Sequence, residues 1–162
     1  MRQSLLLLLL PMLLCGWQGL AFCSGRALYL QLVDPLRGEV LLEYQVRPGE
    51  RFAIDYTHSS DHTPVHDEFR IAPSGELVLV RETYAWYGSG LEFHPGADAA
   101  IRQQDGQTTV ELERAMERLR LRVGRVAGHI FSFRGHRTPL LDLAPGGDPI
   151  LIRAIDKGAE RP

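Results

Sequence analysis

The chain has 162 residues, with 18 Lys and Arg against 20 Asp and Glu, a formal net charge of −2, and two cysteines. That length holds one ordinary domain, and a near balance of charge with no basic stripe excludes nucleic acid as the natural partner. Both cysteines, Cys15 and Cys23, fall in the first 25 residues, so the remainder has no disulfide or thiolate chemistry and must be held together by burial alone.

Met1, Arg2 and Gln3 form a short cationic start, and residues 4–23 then run without a charge through six consecutive leucines. This is the composition of a secretory h-region. It is also long enough, at roughly 30 Å as a helix, to cross a bilayer. The expectation is a hydrophobic helix over residues 1–25, either cleaved as a signal peptide or retained as an anchor. Lipidation is the weaker alternative, because Leu14 and Phe22 stand where a small residue should precede Cys15 or Cys23. Arg2 keeps the amino-terminal end in the cytoplasm, and the expected location of the rest is the periplasm, or the inner membrane with a periplasmic domain.

Residues 26–156 read as one β-rich domain and 157–162 as a flexible tail. Leu28, Leu30 and Leu32 alternate with Tyr29, Gln31 and Val33 before a turn at Asp34-Pro35 and Gly38. Residues 40–46 make a second strand, closed by Pro48-Gly49. Phe52, Ile54 and Tyr56 alternate with Ala53, Asp55 and Thr57, and Val65, Asp67, Phe69 and Ile71 continue the pattern as far as Pro73-Ser74-Gly75. A longer strand over 77–87 ends in a candidate loop at Gly88-Ser89-Gly90. Residues 93–107 read as loop, broken by His94-Pro95-Gly96 and Asp105-Gly106. Over 108–123 the pattern is mixed, with Leu112, Ala115, Met116 and Leu119 at helical spacing and Leu119, Leu121 and Val123 alternating; strand, a helical turn, then strand is expected. Three final strands are expected over 129–133, 139–143 and 150–155. The fold class is all-β: a single antiparallel sandwich or barrel-like domain of about 8–10 short strands after the N-terminal hydrophobic helix.

The hairpin over residues 52–71 concentrates the polar chemistry. Apolar side chains must share the buried face. Pairing Phe52 with Ile71 and Ile54 with Phe69 places Tyr56 opposite Asp67 and His58 opposite Val65. Tyr56, His58 and Asp67 then project toward the core, with His58 and Asp67 as diagonal neighbours. A carboxylate facing the core requires a partner, and His58 or Tyr56 supplies one. Such a cluster serves as a structural network, a ligand or metal site, or a catalytic pair. Ser59 beside His58 is not a nucleophile by adjacency, since neighbours on a strand face opposite ways.

His58, His62 and His66 with Asp61, Asp67 and Glu68 gather nitrogen and oxygen donors, but Pro64 and Ser59-Ser60 argue against the helix that would align the histidines. No zinc-type spacing is present, and His62 and His66 are expected to face solvent. The sequence has no Gly-x-Ser-x-Gly elbow. Gly88-Ser89-Gly90 lacks the third glycine of a dinucleotide loop and the lysine of a phosphate loop, and turning a strand end at positive φ is the simpler use of Gly88 and Gly90. The reading leans away from an enzyme.

Three ordered motifs carry a family resemblance: Tyr56-Thr57-His58-Ser59 with Thr63-Pro64-Val65-His66-Asp67-Glu68-Phe69; Tyr84-Ala85-Trp86-Tyr87-Gly88-Ser89-Gly90-Leu91; and Leu119-Arg120-Leu121-Arg122-Val123-Gly124 with His129, Leu141-Asp142-Leu143 and Pro145-Gly146. Together they resemble domain-of-unknown-function family 1850, small exported bacterial proteins. The family most often has Glu where Asp67 stands, a small polar residue near Trp86, and proline where Glu92 stands. The resemblance implies an accessory role beside TAXI-type TRAP transporters, which import organic acids with a solute-binding protein and a large membrane subunit. The expected partners are that membrane subunit or the solute-binding protein, and the membrane itself if the leader is uncleaved. It carries His58, Ser59, Asp67 and His129 over as the polar positions of interest, with His129 expected to join His58 and Asp67 if its strand lies beside the hairpin. The alternative is a small-ligand or metal-binding module on the His58/Asp67 cluster; His58, Asp67 and His129 are weak metal candidates, and no resident cofactor is predicted. A periplasmic hydrolase is the third reading, without an assembled nucleophile, base and orienting group.

Overall fold

The computed structural model describes residues 27–59, 62–85 and 100–158. The leader helix, the Gly88 and Gly90 loop, most of the second family motif and the tail beyond Gly158 lie outside the described residues. Among the described residues, eleven strands run in chain order: β1 (Leu28–Asp34), β2 (Glu39–Val46), β3 (Arg51–Thr57), β4 (Pro64–Ile71), β5 (Leu77–Tyr84), β6 (Ala100–Gln104), β7 (Gln107–Met116), β8 (Arg118–Arg122), β9 (Ile130–Phe133), β10 (His136–Pro139) and β11 (Pro149–Asp156). They form two antiparallel sheets, a four-stranded one ordered β2-β1-β11-β8 and a seven-stranded one ordered β10-β9-β3-β4-β5-β7-β6. The all-β sandwich expected from period-two alternation is the fold.

The core lies between the sheets. Leu28, Leu30 and Leu32 on β1 and Ile150 and Ile152 on β11 are almost fully buried, and they cluster with Phe52, Ile54, Phe69, Phe131 and Phe133 of the larger sheet. Burial of that apolar surface, at about 25 cal/mol per Å², is the dominant stabilising contribution. A smaller cluster of Val65, Tyr84 and Val110, with Tyr56 and Leu112 against it, fills the far end of the β3–β4–β5–β7 layer.

Three expectations need correction. The helical turn within 108–123 is absent: β7 runs on to Met116, the chain bends at Glu117, and β8 joins the other sheet. The coincidental helical spacing there arises because the inward series of β7 gives way to that of β8. The loop assigned to 93–107 contains β6, joined to β7 by a two-residue turn in which Asp105 and Gly106 both have positive φ (53° and 75°). Asp-Gly with both residues left-handed is a hairpin connection whose twist matches the strands, not a breaker. The strand expected over 139–143 falls earlier, at β10, and Leu140–Asp142 is a single 3₁₀ turn that drives Leu140 fully into the core. Arg134 and Gly135 make the same kind of left-handed turn between β9 and β10, at φ 48° and 80°.

Candidate functional site

The β3–β4 hairpin is shifted by two residues from the expected register: Phe52 pairs with Phe69, Ile54 with Asp67 and Tyr56 with Val65. The loop is tighter than expected. The His58 N–H donates to the Thr63 carbonyl at 2.8 Å, the His62 N–H donates to the His58 carbonyl at 3.0 Å, and His62 takes a positive φ of 58°. The gain is an aromatic stack, with the Phe52 and Phe69 rings 4.9 Å apart and 8° from parallel. A two-residue shift preserves facing, because side chains alternate with period two. Tyr56 and Asp67 therefore still point inward but become diagonal neighbours, while His58 moves out to the hairpin end, facing Thr63. Ser59 is an exposed turn residue.

The Tyr56 hydroxyl donates to the Asp67 carboxylate, and Asp67 Oδ1 is buried with no hydrogen-bond partner among the described residues. Across the next strand pair, Asp67 faces Glu82. Burial, reinforced by the Glu82 charge, pushes the Asp67 carboxyl up to about 7, against the opposing pull of the Tyr56 hydroxyl and Arg114. Burial likewise raises Glu82, with Arg114 opposing, and raises the Tyr56 phenol, helped by both carboxylates. Two carboxyl groups directly opposite in a partly dry layer each make the other harder to ionise.

His129 precedes β9, which pairs with β3, and the Thr57 N–H donates to the Ala127 carbonyl at 2.8 Å, drawing the chain alongside. The His129 ring lies 5.4 Å from the Tyr56 ring, tilted by 33°. Burial lowers its pKa, favouring neutral imidazole. The Gly124 N–H makes a long 3.4 Å contact to His129 Nδ1, which leaves the ring proton on Nε2.

Tyr56 thus touches both Asp67 and His129, whereas His58, expected beside Asp67 and His129, sits with Ser59 at the hairpin end apart from Asp67. Among the described residues no group of three or more His, Cys, Asp or Glu side chains is placed to hold a metal ion, so His58, Asp67 and His129 do not converge as ligands.

Glu82 was missed because alternation fails in β5. Counting from Leu77 and Leu79 puts Arg81 and Thr83 inward. A bulge between Leu79 and Arg81 resets the count so that Glu82 and Tyr84 face in.

His66 lies on the outer, solvent-facing side of the sheet, with 44% of its side chain exposed, and what was not expected is its partner. Its Nδ1 lies 2.6 Å from Asp55 Oδ1. Asp55 Oδ2 also accepts from Ser132 Oγ at 3.2 Å and pairs with Arg137 at 3.2 Å. The missing sequence signal is the pairing of β9 and β10 beside β3, which no local motif announces.

Tyr56→Phe tests the inner cluster. It removes the hydroxyl donor from Asp67, so stability at neutral pH falls by about 1–3 kcal/mol, the usual cost of a stranded buried polar group. The Asp67 titration, followed by carboxyl carbon NMR, moves above the wild-type value. An unchanged titration contradicts the Tyr56–Asp67 hydrogen bond.

Fold and site together define a class: a two-sheet antiparallel β sandwich with an inward carboxyl–phenol–imidazole cluster. Residues 52–140, more than half of the chain, match the family described as a domain of unknown function (DUF1850), and the chain belongs to that family. The matched span contains every strand of the seven-stranded sheet, β3 from its second residue on, and, of the smaller sheet, β8 alone. Neither curated proteins nor solved structures give a match.

Proposed function

We propose that this chain is an exported, periplasm-facing accessory protein that works with a TAXI-type TRAP solute transporter and catalyses no reaction itself. The observation that carries the reading is an uncharged, leucine-rich leader placed directly ahead of a small cysteine-free sandwich. A leader of that composition exports or tethers the domain behind it. Family membership supports the transporter link through the resemblance carried by the three ordered motifs, and this is analogy at the level of the family. Affinity purification of the tagged chain from detergent-solubilised membranes is expected to bring down the transporter's membrane subunit or its solute-binding protein. Purification of the chain alone, together with unchanged solute uptake after deletion, contradicts the proposal.

One observation favours a second reading, a small-ligand module on the inner cluster: Asp67 Oδ1 is buried with an unused lone pair, and a ligand donor would satisfy it. Calorimetry with divalent metals and organic acids is expected to give a signal that Asp67→Asn abolishes. Silence across the panel removes this reading without touching the first.

A further inference from the structure

The inner cluster leaves unexplained a second polar group on the opposite face of the same strands. Asp55 (β3), His66 (β4), Ser132 (β9) and Arg137 (β10) meet there across four adjacent strands. Asp55 is the hub, with one oxygen on His66 and the other shared by Ser132 and Arg137. A carboxylate on Nδ1 fixes the imidazole tautomer: Nδ1–H donates to Asp55, and Nε2 is left as an oriented acceptor. The guanidinium has five N–H donors, and the single Arg137 nitrogen paired with Asp55 uses a minority of them.

A neighbouring row on this face, Arg51–Glu68–Arg81–Glu111, alternates cations and anions, at 2.9, 3.1 and 3.5 Å, as a solvated ion-pair ladder does. The Asp55 group differs in balance, with one carboxylate serving an arginine, a histidine and a serine. It also opens onto a cavity of about 340 Å³ whose lining includes Asp55, His66, Arg137, Thr57 and Thr83. His66 and Arg137 keep 44% and 59% of their side-chain surface exposed, so both are reachable from that cavity.

We propose that this cavity binds a small 2-hydroxycarboxylate, with its carboxylate on the Arg137 guanidinium and its hydroxyl donating to His66 Nε2. The two protein groups offer complementary chemistry, a charged fork for the carboxylate and a lone pair for the adjacent hydroxyl. Asp55, between them, cancels one positive charge, which suits a monoanion and repels a phosphate dianion. Tyr56 of the inner cluster also borders the cavity, but the proposed contacts use neither it nor Asp67, and the proposal does not rest on the transporter link.

The test is calorimetry on the full-length chain in detergent at neutral pH, with lactate, propionate and inorganic phosphate as probes. Lactate is expected to bind, propionate to bind at least tenfold more weakly for want of the hydroxyl, and phosphate to give no signal. Arg137→Gln is expected to weaken lactate at least tenfold. His66→Ala is expected to erase the preference for lactate over propionate, with circular dichroism confirming that both variants fold. Absence of lactate binding to the wild type, phosphate binding as tight as lactate, or lactate binding unchanged in Arg137→Gln each overturns the proposal. The wild-type measurement does not depend on either variant folding.

Discussion

Phe52→Ala is expected to destabilise the fold by about 3–5 kcal/mol, a large part of the 5–15 kcal/mol that holds a typical domain together. Phe52 is 2% exposed, stacked on Phe69 at 4.9 Å and in contact with Phe131 at 5.6 Å. Its removal forfeits transfer energy, leaves a cavity between three strands and dissolves two aromatic pairs. Urea denaturation measures the loss directly. Ile101→Ala on edge strand β6, where the side chain is 44% exposed, serves as the comparison and is expected to change stability by about 0.5 kcal/mol or less. Equal effects from the two variants contradict the packing described for β3, β4 and β9. The Phe52–Phe69 stack also pins the hairpin register, so its loss releases the placement of Tyr56 against Asp67.

The second large effect is a pH dependence. The Asp67 carboxyl rises from an ordinary value of 3.8 to about 7 on folding. A carboxyl raised in this way favours the folded state at low pH: between the two values the folded chain holds a proton that the unfolded chain has given up, so stability falls as pH rises. That advantage is complete below the unfolded value and is lost as pH climbs through the folded one. Between pH 5 and pH 8 the loss from this group is about 3 kcal/mol, taking 1.36 kcal/mol per pK unit. Asp67→Asn keeps the shape and removes the ionisation. It is therefore expected to flatten the stability profile over that interval and to exceed the wild type at pH 8. A profile as steep in Asp67→Asn as in the wild type contradicts the buried carboxyl.

Much of the architecture was written in local patterns. Leu28, Leu30 and Leu32 announce β1 because a strand with one buried face must alternate, and Phe52, Ile54 and Tyr56 do the same for β3. The facing of Asp67 survived an error in register because a shift of two residues leaves every side chain on its own side. Of its two expected partners Tyr56 remains and His58 does not, since neighbours across a hairpin depend on register, and register was decided by the Phe52–Phe69 stack and the loop geometry at His62. Glu82 was hidden by a bulge, which changes facing without a sequence mark of its own. The turn at Asp105-Gly106 was visible but given the wrong role: left-handed residues there join two strands and do not end one. Long-range neighbours such as Asp55 and Arg137, far apart in sequence and paired across β3, β9 and β10, follow from sheet order, and sheet order is set by how the whole core packs.

The export claim is tested most directly by adding protease to intact spheroplasts of cells expressing the chain with a carboxy-terminal tag. The account predicts that the sandwich is released with the periplasmic fraction, or is digested from outside while a cytosolic marker enzyme survives. A tagged chain protected from protease and recovered with the cytosolic marker contradicts it.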